Sequence, residues 1–153
     1  MIPHLDYANA FSSGLPSTEI NKPQWIQNMA AKIVTGAKKH DSSTEALKSL
    51  HWLPIHLRIK YKVLTLVFRS LHGLAPNYLC ELISVVDSRR PGLRSESKVN
   101  LLRVPFAKHS TFADRGFSVY GPKSWNELTD DLRTTNNYNA FKKKLTTYLF
   151  GKF

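Results

Sequence analysis

The sequence predicts a mostly α-helical fold, with several short-to-medium helices around one central apolar helix and a small β-hairpin. Apolar residues recur at three- and four-residue intervals through most of the chain, the spacing of helix faces. Proline and glycine fall between those stretches, where helices start and stop. Residues 54–72 are apolar over well more than half of a helical circumference, which suits a buried element better than a surface one. A chain of 153 residues fits one domain with a modest core, and 42% hydrophobic content argues against wholesale disorder.

Residues 1–15 read as a short helix stopped by Gly14 and Pro16. A second helix is expected over about 17–34, ending at Gly36, with Ile20, Ile26, Ala30, Ile33 and Val34 near the helical period. Pro23 suits a first turn beginning near Asn21 better than the interior of that helix. "SSTE" has the form of a capping box, Ser42 with Glu45, opening a short helix to Leu50. The central helix follows, with Pro54 in its first turn and Gly73 as its stop. Arg58, Lys62, Thr65, Arg69 and His72 form its narrow polar stripe. Pro76 starts a short helix, "PNYLCELI". "KVNLLRVP" and "KHSTF" are the expected hairpin, and "ADRGFSVYGPKSWNEL" reads as two helices broken at Gly121-Pro122. Asn136 or Asn137 caps a last helix whose inner face is Phe141, Leu145 and Tyr148 or Leu149. Trp52, Phe117, Trp125 and Phe141 lie in helical apolar patterns and read as core anchors rather than base-stacking platforms.

Charge is unevenly spread. Residues 1–50 hold 5 basic and 4 acidic side chains, whereas residues 51–153 hold 17 and 7. A field of that sign points to a polyanion, nucleic acid before a membrane surface. Arg89, Arg90, Arg94, Lys98, Arg103 and Lys108 fall close together, with Arg58, Lys62, Arg69 and the run Lys142, Lys143, Lys144 elsewhere. Guanidinium groups make bidentate phosphate contacts and ammoniums act as point charges, so such a set grips a backbone without reading sequence. The 89–108 stretch reads equally as a solvated connector.

Other chemistry finds little footing. "LTDD" at 128–131 pairs two carboxylates, as a magnesium site requires, yet no strand pattern precedes it and a third carboxylate is missing. Asp130 and Asp131 read instead as the acidic start of a helix, in a capping role. The six histidines lack ligand spacing, and no Gly-rich phosphate loop or Ser/His/Asp order stands out, so no catalytic residue, metal site or cofactor is expected. Cys80 is the single cysteine, which excludes a disulfide framework. No signal peptide is seen and no apolar run nears the ~18 residues of a membrane span, so cytoplasm or nucleus is the expected location.

The motifs taken together resemble a known family. "LHWLPIHLRIKYKVLTLVFRSLHGLAPNYLCELI", "FADRGFSVYGPKSWNELTDDLR" and "FKKKLTTYLF" are similar, in this order, to the C-terminal region of LINE-type (non-LTR) retrotransposon reverse transcriptases. "LDYANAFSSGLP" and "QWIQNMAAKIVTG" resemble the family's segments after the polymerase core, so the likeness covers nearly the whole chain. Pro23 stands where the family has an apolar residue, Ala8 where it often has Cys, and Thr129 where Leu-Pro is usual. The family's Tyr-x-Asp-Asp motif and endonuclease domain lie upstream of the point matched by Met1, so no catalytic residue carries over. The resemblance implies a thumb-like part (1–50) and a basic post-thumb part (51–153) within one domain, holding RNA or DNA. It also implies a truncated copy or an internally initiated reading frame.

The expected function is therefore non-catalytic nucleic-acid binding through phosphate contacts. The rival is a protein-interaction module that docks a reverse-transcriptase core or itself; a relic without function is the third possibility. Residues 54–72 are expected to leave apolar surface bare, for want of a partner, and to drive self-association.

Overall fold

The computed structural model describes residues 17–86, 100–106 and 116–153. Among them 65% are helical and no strand forms. In chain order the helices are α1 (Ser17–Thr35), α2 (Ser43–Ser49), α3 (Ile55–Leu71), α4 (Asn77–Cys80), α5 (Phe117–Asn126), α6 (Asp130–Arg133) and α7 (Tyr138–Gly151). The helix expected over residues 1–15 lies outside the described residues.

α3 is the hub, packed against α1, α4, α5 and α7. Ile55, Leu57, Ile59, Val63, Leu64, Val67 and Phe68 are buried. Fully burying one such side chain stabilises by roughly 1.5–3 kcal/mol. Burial extends even to Thr65 and Ser70, whose hydroxyls donate to the carbonyls of Lys62 (2.8 Å) and Leu66 (3.0 Å) within the same helix. The expectation that α3 leaves apolar surface bare is thus overturned. Its apolar side chains are all buried or half-buried, because α5 and α7 close over it.

α7 starts as expected, with Asn137 as its cap: Oδ1 accepts from the amides of Asn139 (2.9 Å) and Ala140 (3.1 Å). Phe141, Leu145 and Leu149 form its buried face, while Tyr148 stays half-buried. Phe141 stacks on Phe68 of α3 with ring centroids 4.5 Å apart and meets Trp125 of α5 at 5.7 Å. α5 continues through Gly121-Pro122 rather than breaking there. A Cβ on Gly121 would stand 3.0 Å from Val67 Cγ2, so the bare glycine lets α5 approach α3, and burial of Pro122 outweighs its missing amide. Pro23 likewise sits inside α1, six residues past its start, rather than in a first turn.

Among the described residues no hairpin is formed. Leu102 makes one antiparallel bridge with Val85, held by Val86 N–H to Leu101 C=O and Arg103 N–H to Ser84 C=O, both 2.8 Å. The amide and carbonyl of Leu102 itself are taken by the Asn126 side chain at 2.9 and 2.8 Å. Trp125 Nε1 donates to Asn100 C=O at 2.9 Å. A Trp-Asn pair on α5 thus binds the 100–102 backbone. "KHSTF", the other half of the expected hairpin, lies outside the described residues.

Three helices end on one motif. After α1, Ala37 N–H reaches Lys32 C=O and Gly36 N–H reaches Ile33 C=O; after α3, Leu74 and Gly73 bond Arg69 and Ser70 in the same way. Both glycines are left-handed, at φ 68° and 65°. α2 closes identically, Trp52 to Leu47 and His51 to Lys48, but its left-handed residue is His51 at φ 53°. The capping box at its other end is not made: Ser42 offers no side-chain bond, and only its carbonyl accepts, from Ala46 N–H at 3.4 Å. Since a Cβ in the left-handed region costs about 1–2 kcal/mol and glycine's larger unfolded-state entropy returns part of it, His51→Gly should stabilise by about 0.5–1 kcal/mol. A urea midpoint lower than wild type would contradict this.

α1 is seated by polar groups. Gln27 is fully buried and donates Nε2 to Leu53 C=O at 2.9 Å; Gln24 Oε1 accepts from Ile55 N–H, the first amide of α3, at 2.8 Å. The two amides bond each other at 3.2 Å, and Gln24 Nε2 also donates to Asn28 Oδ1 at 2.8 Å. Small Ala31 then meets Ala46 and Leu47 of α2. The periodic residues Ile26, Ile33 and Val34 therefore face outwards, along with Trp25 and Met29. Gln27→Ala should cost about 1–3 kcal/mol in chemical denaturation, because it strands the Leu53 carbonyl away from water. An unchanged midpoint would remove Gln27 as the anchor.

Candidate functional site

The basic residues singled out in the sequence that are described lie on α3, on α7 and at Arg103. Arg89, Arg90, Arg94, Lys98 and Lys108 lie outside the described residues. On α3, Arg58 and Lys62 are half-buried and already engaged within the chain. Arg69 is exposed, but its guanidinium turns onto the end of its own helix, donating Nε (3.2 Å) and Nη2 (2.9 Å) to Leu74 C=O. Thr65 is buried, and His72 folds back with its ring 4.0 Å from that of Phe68 and Nδ1 2.8 Å from Phe68 C=O. The polar stripe is therefore not the open phosphate-facing edge its spacing predicts. His56, at the start of α3, is pulled below its ordinary pKa by burial and then by the Lys60 ammonium, which disfavours it as a cation.

α7 presents the best-defined cationic surface. Lys142, Lys143 and Lys144 follow directly on the capped first turn, so their direction is set by the burial of Phe141 and Leu145 on either side. The Lys142 ammonium lies 5.4 Å from the Tyr138 ring centroid, a cation–π contact one turn away. Lys143 is exposed and, with Lys144, Thr147 and Tyr148, lines an open groove of about 410 Å³ against Thr129, Asp131 and Leu132. Asp131 is the one carboxylate there, and Lys144 Nζ neutralises it at 2.6 Å while reaching Thr135 Oγ1 at 3.4 Å. The groove thus keeps the Lys143 ammonium as a donor beside a compensated charge pair, while the Thr147 hydroxyl donates to Lys143 C=O at 3.2 Å. Tyr61 of α3 faces α7: burial raises its pKa against the lowering effect of a hydrogen bond with Thr146, and Tyr138 raises it further. A second recess of about 330 Å³, between α1 and α2, is lined by Asp41 and Glu45 and has the wrong sign for phosphate.

Two cations that pattern reading passed over also sit on aromatic faces: Lys152 over Tyr148 and Lys48 over Phe153, each at 5.2 Å. The i, i+4 spacing of Tyr148 and Lys152 was the only available signal. Arg103, exposed, joins the basic set beside the Val85 bridge.

The two carboxylates of "LTDD" begin α6, as the helix-start reading has it, but neither supplies a cap; Thr129 is the capping residue and makes no side-chain bond. Each is ion-paired instead, Asp131 with Lys144 and Asp130 with Arg133 Nη2. Among the described residues no group of three or more His, Cys, Asp or Glu side chains is placed to hold a metal ion, and no helix is long and apolar enough to cross a membrane. Arg133 is nearly fully buried, and among the described residues its Nε and Nη1 find no hydrogen-bond partner. Among those residues its charge is paired with Asp130, which is 56% exposed.

Comparison with family profiles, with curated proteins and with solved structures finds no match for this chain. The site therefore rests on its own geometry: a helical scaffold with a lysine-lined groove at α6–α7 and an apolar helix face on α1.

Removing the one partner of a buried charge is worse than removing both. Asp130→Ala should destabilise by about 1.5–3 kcal/mol, less than for a fully buried pair because Asp130 is half in water. Adding Arg133→Met should recover most of that loss in urea unfolding. Losses that simply add would show that the two residues do not act as a pair.

Proposed function

We propose that this chain is a non-catalytic nucleic-acid-holding piece of a retrotransposon reverse transcriptase, gripping RNA or DNA through phosphates, in the nucleus or cytoplasm. The observation that carries the reading is the α7 lysine run beside the α6–α7 groove. Lys143 is exposed at the groove, and Asp131, the one carboxylate among the described residues that line it, is already paired with Lys144. Phosphate oxygens accept from ammonium donors of this kind without regard to base. The excess of 17 basic over 7 acidic residues in 51–153 supplies the longer-range attraction. The sequence resemblance supports the same role, since the family's post-core region accompanies a polymerase working on template and primer.

A second reading, docking to a protein, is favoured by a different observation. Trp25, Ile26, Met29, Ile33 and Val34 lie exposed on one side of α1. That face carries no phosphate donors, so the two readings use separate surfaces and both can hold.

Binding should be weakly sequence-dependent and strongly salt-dependent. Neutralising ~4–6 phosphates gives log K against log salt a slope of roughly −3 to −5 on duplex, shallower on single strands. Lys142→Gln with Lys143→Gln should flatten the slope by about 1.5–2 units, and Lys144→Gln by much less because Asp131 already holds it. Replacing Arg89, Arg90 and Arg94 by Ser should flatten it by about two to three units if that stretch grips phosphate. A slope untouched by either set would leave the basic residues as solvated charge and move the docking reading ahead.

A further inference from the structure

We infer that the outer face of α1 is a self-complementary interface, and that its occupant is α1 of a second copy of this chain, packed antiparallel about a two-fold axis. The inference rests on the docking reading above and names its partner; it is independent of nucleic-acid binding. Gln24 and Gln27 hold α1 by its polar side, so its rotation is set and the apolar side cannot turn inwards. On that side two rows run at four-residue spacing, Trp25–Met29–Ile33 and Ile26–Ala30–Val34. Trp25 is 64% exposed and Ile33 77%, values of a surface awaiting cover rather than of a helix edge.

The rows match themselves when reversed. With the axis near Met29 and Ala30, the broad Trp25 of one copy meets the branched Ile33 and Val34 of the other, at both ends alike, as a two-fold interface demands. Rows at four-residue spacing on both helices are those that interdigitate in the commonest helix packing, and the small Ala30 at the centre permits close approach. Charge does not oppose the pairing. Lys22, at the edge of the face, is bonded to Glu19 at 3.1 Å, and reversal brings that pair towards the basic Lys38-Lys39 connector of the other copy.

The area is sufficient. The five exposed side chains offer on the order of 600 Å² per copy, so about 1,200 Å² for the pair, the lower bound of specific interfaces. A patch of that size is also at the upper limit of what a lone soluble monomer leaves bare.

Sedimentation velocity on the full chain should show its molar mass doubling as concentration rises through the micromolar range. Ile33→Lys and Trp25→Glu should each remain monomeric, with helical circular dichroism unchanged. Mixed together they should associate, since one end then pairs Glu with Lys and the other keeps Ile against Trp. Wild-type protein that stays monomeric overturns the inference, as does association that survives Ile33→Lys or a mixture that fails to pair. Binding of the dye 8-anilinonaphthalene-1-sulfonate separates the two levels of failure. A monomer whose dye binding is lost in Ile33→Lys leaves the face available to a different partner. A monomer that binds none has the face covered by its own chain, and the docking reading falls with the inference.

Discussion

The stack of Phe68 on Phe141 is the contact on which the remaining structure depends. It joins the last turn of α3 to the first buried position of α7, and Trp125 of α5 closes on the same ring. Stacked and tilted aromatic pairs add about 0.5–1.5 kcal/mol each beyond the area they bury, so this cluster is where three helices gain most from meeting. Leu145 and Leu149 continue the contact along α7, and Val67 continues it along α3 to the bare backbone of Gly121. Once α5 is held there, its Trp125 and Asn126 fix the 100–102 segment, and α6 follows with Arg133 drawn under it.

The same packing decides what is left for function. Because Phe141 and Leu145 must point into the core, the residues between them must point away, and the chain has lysine at all three. The groove beside them exists because α6 is a single turn laid against α7, short enough to leave a gap and close enough for Asp131 to reach Lys144. Cations on α3 fare differently. A helix surrounded by partners has little open edge, so Arg58 and Lys62 are half-buried and Arg69 finds a carbonyl of its own chain.

α1 is attached by another principle. Its inner side is held by two glutamines that bond a carbonyl and a helix-start amide, and by Ala31, small enough to admit α2. Its bulky apolar residues would prevent that approach and are excluded from it. A helix can thus be amphipathic with its polar side inwards, and its apolar side then becomes the part of the molecule with most to gain from a partner.

Much of the architecture was legible in the residues themselves. The length of α3, its wide apolar surface, the glycine stops at Gly36 and Gly73 and the Asn137 cap follow from local rules of periodicity, capping and left-handed backbone. What those rules could not decide was the outcome of competition between elements. Nothing local says that Asn126 will take the Leu102 backbone, that α3 will tolerate helix α5 only because Gly121 is bare, or that His51 will do a glycine's work. Nor does periodicity say which side of α1 is inside, since a hydrophobic period shows only that a helix has two faces. The candidate site divides along the same line. The cationic run on α7 is visible as sequence, but whether each ammonium faces solvent, an aromatic ring or Asp131 is a matter of which helices stand next to it, and only the tertiary structure supplies the neighbours.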